Sequence, residues 1–297
     1  MTLKSNPSEV IFKGDYKMEK ISASGSKSWL TCGLQWRLSH IDKLELVRLN
    51  SNLAYGSAVH KGAEPIWRGQ NLTGFAKVWK PYKDKDIDYG KGQDDWSKLK
   101  VKGEVMLKKL YETVTGTFDP AASRVEVHEN IDLGFVVLDR RIDVVTVAKK
   151  MPVYMTDVNK IENVSGVVNL DLKTSRSQYS DIDVMGSQQL LTYAIPNGKS
   201  KKLNASVYVV VTKSINPVIQ LIGKRYEKWE VVRQVNRLRF VTDQIRRGVF
   251  IQNEDKHCGW CDFKALCYRL PGWQKMYRLR RDRSGPVAVD TVTDIEE

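Results

Sequence analysis

The stretch from Val167 to Ala194, VVNLDLKTSRSQYSDIDVMGSQQLLTYA, restricts the fold more than any other part of this chain. It reads as a buried strand ending in Asp171-Leu172-Lys173, then a polar turn region, then a helical segment carrying Gln189 and Tyr193. A strand sends alternate side chains to opposite faces, so residues two apart emerge together. Asp171 and Lys173 therefore present a carboxylate and an ammonium side by side at a strand end. Such a pair can hold a metal ion and a phosphate.

The surrounding sequence alternates helical and strand patterns. Ser22-Ala23-Ser24 offers caps for a helix through Trp29, Leu30, Leu34 and Leu38, with Cys32 inside it. A second helix is expected over Leu53 to Trp67, where the small residues Gly56-Ser57-Ala58 let it approach another backbone and aim His60 inward. A charged, aperiodic loop spans Pro81 to Trp96, and a helix over Leu99 to Val114 shows a stripe at Leu107, Leu110, Tyr111 and Val114. Val125 to Val147 reads as an antiparallel hairpin turning near Asp132 to Gly134, its second strand carrying Asp139 and Asp143. Residues 149 to 165 read as a loop or short excursion. A strand at Val167 to Thr174, a helix around Met185 to Ile195 and a strand at Ala205 to Thr212 follow. Val231, Val235, Leu238, Val241 and Ile245 mark a long amphipathic helix that Gly248 caps.

Composition bounds the function classes. With 297 residues and 41% apolar content the chain can bury a full core. Lysine and arginine outnumber the acids 48 to 35, a net charge of +13 that suits a polyanionic partner, although a basic soluble surface gives the same balance. The sequence has no run of about 18 apolar residues and no signal-peptide segment, so a cytoplasmic or otherwise intracellular protein with no membrane contact is expected. Gly198-Lys199-Ser200 lacks the upstream glycine of a nucleotide-binding P-loop, which argues against a fused helicase.

Four cysteines remain to be explained. Cys258, Cys261 and Cys267 form a C-x2-C-x5-C cluster, and Cys32 stands far upstream. Four thiolates are the number that a [4Fe-4S] cluster or a tetrahedral Zn²⁺ requires, and an intracellular chain rarely keeps disulfides. Spacing leaves zinc and iron–sulfur both open.

The order His60, Asp143, Asp171-Leu172-Lys173 and Gln189-x3-Tyr193, with one cysteine before and three after, resembles the RecB-like branch of the PD-(D/E)xK nucleases. It is most similar to the iron–sulfur members, which include the nuclease domain of the AddB helicase–nuclease subunit and the CRISPR-associated adaptation nucleases. The resemblance spans roughly residues 22 to 267 and lies in motif order.

That resemblance implies an α/β fold with a restriction-endonuclease-like core, a mixed central sheet flanked by helices. The N- and C-terminal segments would be joined by the metal cluster, clasping both ends around the core. It implies one nuclease domain over residues 1–284, with a helical part at 22–115, a core at about 120–215, a C-terminal helix and cysteine cluster at 225–270, and a flexible acidic tail at 285–297. His60, Asp143 and Asp171 would hold Mg²⁺ or Mn²⁺, Lys173 would orient or activate water, and Gln189 and Tyr193 would hold Lys173 or a phosphate. Cys32, Cys258, Cys261 and Cys267 would carry a [4Fe-4S] cluster. The implied activity is a metal-dependent DNA exonuclease at single-stranded ends, working in repair, recombination or spacer acquisition, with protein partners in such a complex.

Two departures accompany the resemblance. The separation between Asp143 and Asp171 is long, which calls for an insertion looping out between the strands and makes Asp139 a rival ligand on the same face. Trp67, Trp79 and Trp96 are candidates for stacking on unpaired bases, with core packing the alternative. Two other readings compete with the enzyme: a zinc-stabilised nucleic-acid-binding module, and a nuclease-fold subunit devoted to recognition.

Overall fold

Every residue of Ala205–Thr212, ASVYVVVT, is buried, the signature of a strand covered on both faces at the centre of a sheet. The computed structural model describes residues 16–280 apart from 73, 84, 90–93, 156–159 and 198–203, so the acidic tail and Gly198-Lys199-Ser200 lie outside the described residues. In chain order the elements are β1 (Lys20–Ile21), α1 (Ala23–Thr31), α2 (Gly33–His40), β2 (Leu44–Leu46), β3 (Leu49–Asn50), α3 (Ser51–Trp67), α4 (Phe75–Trp79), β4 (Ile87–Asp88) and α5 (Trp96–Thr117). There follow β5 (Phe118–Asp132), β6 (Val137–Tyr154), β7 (Ile161–Ser175), α6 (Asp181–Met185), α7 (Gln188–Tyr193), β8 (Ala205–Thr212), β9 (Ile219–Lys224), α8 (Lys228–Arg246), α9 (Lys264–Cys267) and β10 (Tyr277–Leu279). The described residues divide into two units, a larger one of Lys20–Ala23 with Arg48–Leu238, and a smaller one of Ser24–Val47 with 16–19 and 239–280.

The larger unit is built on a mixed sheet. β5, β6 and β7 form an antiparallel meander, β8 adds parallel to β7, and β9 closes antiparallel on β8. The β6–β7 hairpin is much longer than expected: its pairs run on to Tyr154 and Ile161, so among the described residues most of 149 to 165 is strand rather than a looped-out insertion. A register shift between Ala148 and Met151 breaks the alternation that would mark this segment as strand. That hairpin accounts for the long separation of Asp143 from Asp171.

Leu170, Leu172, Val207 and Val209 on one face of the sheet pack against Val59 and Ile66 of α3 and Leu107 and Leu110 of α5. Trp67 and Trp79 are 2% and 0% exposed in this core, and Trp96 stacks over Trp79, so burial removes the faces that Trp67 and Trp79 would offer a base. Tyr111, expected on the buried stripe, is exposed instead. Close approach of α3 to its neighbour depends on Gly62 rather than on Gly56. A Cβ at Gly62 would meet Leu107 Cδ1 at 2.6 Å, whereas one at Gly56 would make an ordinary 3.6 Å contact with Thr174 Oγ1.

The segment around Met185–Ile195 is two short helices rather than one, because the hydroxyl of Ser187 accepts the Leu190 N–H and starts α7 afresh. The helix expected across Trp29 to Leu38 is likewise two. Cys32 sits between α1 and α2 in extended backbone (φ −160°, ψ 113°), and a Cβ on the next residue, Gly33, would lie 2.7 Å from the Ile251 nitrogen. This close approach of two backbones overrides a pattern that is helical by periodicity.

Candidate active site

The β6–β7 ladder ends at the Val144–Leu170 pair, and the next position of each strand is Asp143 and Asp171. β7 leaves β6 there, and β1 takes the vacated edge only at Val137 and Leu138. Asp143 thus stands in a fork between diverging strands. Its Oδ2 accepts the Leu172 N–H at 2.8 Å, a side chain standing in for the lost ladder bond. His60, on the third turn of α3, brings Nδ1 to 3.5 Å from the same oxygen. Asp139 is engaged elsewhere, its Oδ1 2.5 Å from His128 Nε2.

Asp171 is 1% exposed and organises the other side of the fork. Its Oδ1 accepts the Tyr193 hydroxyl at 2.8 Å and the Gln189 amide at 2.5 Å. Gln189 also donates to the Tyr193 oxygen at 2.9 Å and, through Oε1, accepts from Lys173 Nζ at 3.1 Å. Lys173 Nζ lies 2.6 Å from Asp171 Oδ2, which nevertheless accepts no aligned hydrogen bond. The four side chains therefore form a closed network in which each orients the next.

Electrostatics follow from this crowding. Burial first, and then the Asp171 charge, push the Asp143 carboxyl up to about 6 despite His60, the Leu172 N–H and Lys173. Burial works to lower the Lys173 pKa, but the Asp171 carboxylate outweighs it and holds the ammonium above its ordinary value. Burial, reinforced by Asp171 and Asp143, raises Tyr193, so its hydroxyl keeps its proton and serves as a donor.

Sequence reasoning passed over several residues that complete the site. Glu126 lies across the β5–β6 ladder from Asp143, and a carboxylate oxygen of each lies with a ring nitrogen of His60 so that all three are within 4.8 Å of one another. Tyr208 places its ring 5.7 Å from Lys173 Nζ and joins its hydroxyl to Ser187 Oγ at 2.6 Å. Buried Arg140 pairs with Glu129 and donates to the carbonyls of Thr192, Tyr193 and Ile195, capping the C-terminus of α7. A six-residue helix is marginal alone, so these clamps hold Gln189 and Tyr193 in place.

A family model described as the PD-(D/E)XK nuclease superfamily matches residues 20–268. The chain belongs to the PD-(D/E)XK nuclease superfamily. Asp171-Leu172-Lys173 has the letters of the (D/E)XK in that name, and Ile142 rather than proline precedes Asp143. Among solved structures, that of a candidate exonuclease from Eubacterium rectale is similar in fold, with 13% identity, 91% of each chain covered and a TM-score of 0.52. The crystal structure of SSO0001 aligns over 85% of this chain and 87% of its own at 15% identity, with a TM-score of 0.38 that is too low to argue from. No curated protein matches the chain by sequence.

PD-(D/E)XK nucleases use divalent metals, and these residues fit one. His60, Glu126 and Asp143 bring one nitrogen and two carboxylate oxygens together, and Asp171 adds an oxygen lacking an aligned donor. Hard oxygen ligands with one imidazole suit Mg²⁺ or Mn²⁺.

In the smaller unit the four cysteines, all free, line one small cavity with His257, whose buried Nε2 has no partner. Cys258 sits on a 3₁₀ turn, Cys261 ends it, Cys267 closes α9, and Cys32 enters from the break between α1 and α2. Leu34, Leu38, Phe263 and Leu266 pack behind them. Burial raises Cys261, and burial with the other sulfurs nearby pushes Cys267 up to about 11. Four free thiols around one cavity, Cys32 buried and the other three half-buried, fit a metal centre.

Proposed function

We propose that this nuclease is a metal-dependent DNA exonuclease of the RecB-like branch, acting at single-stranded ends in repair, recombination or spacer acquisition. The observation that carries the reading is Asp171, whose one carboxylate is held by Tyr193 and Gln189 while Lys173 stands against its other oxygen. In this reading His60, Glu126, Asp143 and Asp171 hold Mg²⁺ or Mn²⁺, which when bound polarises the scissile phosphate and lowers the pKa of water. Lys173, kept protonated by Asp171, orients the attacking water and stabilises charge developing on the phosphate. Gln189 holds Lys173 and Asp171 at a constant separation. Tyr193 and Tyr208 restrict water around them.

The four cysteines are assigned to a [4Fe-4S] cluster. A tetrahedral Zn²⁺ at about 2.3 Å from each sulfur would draw the sulfurs to about 4 Å of one another. A [4Fe-4S] cluster takes one thiolate at each of its four irons and holds the sulfurs wider apart, and Cys32, Cys258, Cys261 and Cys267 supply that number around one cavity.

The test is incubation of the chain and its Lys173→Ala variant with end-labelled single- and double-stranded DNA in Mn²⁺ or Mg²⁺. Shortening from an end by the parent chain alone is expected. Equal degradation by both chains, or none by either, would favour a zinc-stabilised binding module or a recognition subunit.

A further inference from the structure

Immediately beyond β7 comes Arg176, and immediately beyond β8 comes Lys213. Both line a cavity of about 220 Å³, with Lys102 on α5 and Ser51 and Asn52 at the start of α3. Among the described residues, three cations line this space against one carboxylate, Asp94, whose Oδ2 lies 2.6 Å from Lys102 Nζ. Lys213 Nζ donates to a neutral acceptor, Asn52 Oδ1, at 2.5 Å. Burial, with the Arg176 and Lys102 charges behind it, lowers the Lys213 pKa more than Asp94 raises it. The cavity is thus a place where positive charge has been concentrated at a cost.

The first turn of α3 adds to this charge. Asn50 caps it through the Asn52 N–H at 2.8 Å, and the helix dipole of 17 residues points its positive end into the same space.

Two elements set the distance from this cavity to the metal ligands. α3 carries Asn52 at the cavity and His60 at the fork, about 12 Å apart at 1.5 Å per residue. β7 carries Asp171 at the fork and Ser175 beside Arg176, about 13 Å apart at 3.3 Å per residue. The two run alongside each other, with Gly56 facing Thr174. The separation spans a few nucleotides of one strand, because its phosphates recur every ~3.4 Å of helix axis and also wind around that axis.

We propose that this cavity is a phosphate-binding subsite for the nucleic-acid strand whose phosphodiester lies at Asp171 and Lys173. The link to a cut strand rests on the nuclease reading above; phosphate binding by the cavity does not. The phosphate is either the terminal group of a strand or an internal one, and the chemistry that receives it is the same. As a terminal subsite it makes the products short oligonucleotides, because the cut then falls a few nucleotides from the held end.

Fluorescence anisotropy in EDTA, with full-length chain, tests this without cleavage. The probes are single-stranded oligonucleotides of one sequence with a 5′-phosphate, a 3′-phosphate or hydroxyls at both ends. Arg176→Gln with Lys213→Gln is expected to weaken binding by about tenfold and to lower the slope of log affinity against log salt by about one. Loss confined to one phosphorylated probe identifies a terminal phosphate, and equal loss on all three an internal one. Lys213→Arg, which keeps the charge, is expected to bind like the parent chain. Unchanged thermal unfolding and unchanged Mn²⁺ binding establish that the double variant is folded with its metal ligands in place. Equal affinity and salt slope with and without the substitutions overturn the subsite. Absence of cleavage by the parent chain in Mn²⁺ would instead count against the nuclease reading, and leaves the binding result standing.

Discussion

Glu126 faces Asp143 across the β5–β6 ladder with its backbone in the left-handed region, at φ 52°. Asp143 in turn stands at the position across from Asp171, so three carboxylates cross the sheet in one row. A left-handed non-glycine residue costs about 1–2 kcal/mol, and the strain is met here at the edge of the candidate metal site. Glu126→Gln is expected to weaken Mn²⁺ binding by about tenfold or more, read by calorimetry, with the unfolding of the metal-free chain unchanged. Glu126→Gly should weaken Mn²⁺ equally while stabilising the metal-free chain by about 1 kcal/mol. Undiminished Mn²⁺ affinity in both would remove Glu126 from the ligand set.

Asp143 predicts opposite pH dependences for stability and metal binding. Its folded pKa of about 6 lies above the unfolded 3.8, so the metal-free fold keeps a proton that the unfolded chain has lost. That contribution is present below about pH 4 and is lost as pH rises through 6. Asp143→Asn should therefore stabilise the metal-free protein above pH 6 by up to about 3 kcal/mol, measured by thermal unfolding in EDTA. Metal needs the carboxylate, so Mn²⁺ affinity of the parent chain should fall as pH drops below 6. A pH-independent affinity between pH 5 and 8 would contradict this assignment.

Lys173 and Tyr193 should separate in kinetics. Lys173→Ala removes the cation that would meet charge developing on the phosphate, and kcat should drop by about 10² to 10³ with KM little changed. Tyr193→Phe removes one of two donors to Asp171 Oδ1 and should cost about tenfold, because Gln189 still holds the carboxylate. Equal losses in the two would assign Tyr193 a larger part than holding Asp171.

Loss of any one cysteine should empty the centre in the smaller unit. Anaerobic purification followed by iron and sulfide analysis is expected to find about four of each per chain, and about none in Cys32→Ala or Cys267→Ala. With Cys261 and Cys267 raised above their ordinary values, loading the apoprotein at neutral pH should release protons, measurable in weakly buffered solution. Zinc without sulfide would replace the cluster with a tetrahedral site.

Local signals placed much of the fold. The strand at Ala205–Thr212 and the hairpin turn before Val137 carry patterns that need only their own residues. Residues 149–165 misled because Lys149-Lys150 and Pro152 look like a loop, and a bulge there interrupts the period that would have marked a strand. Cys32 misled in the opposite direction, since its helical neighbours are broken by a contact with residue 251 that no local pattern contains.

The candidate site divides the same way. Asp171, Lys173, Gln189 and Tyr193 were legible because strand and helix periods alone put each pair on one face, and the four cysteines because their number and spacing have few uses. Glu126, Tyr208 and Arg140 were not, because each reaches the site by strand register or by packing between segments far apart in the chain. The choice between Asp139 and Asp143 had the same character. Both lie on one strand face, and only the point at which β7 parts from β6 sets Asp143 beside His60 and leaves Asp139 to His128. Chemistry carried by residue type and short spacing was thus determined by the sequence itself, and the assembly of those groups was decided by pairing and close approach, which depend on where distant backbones meet.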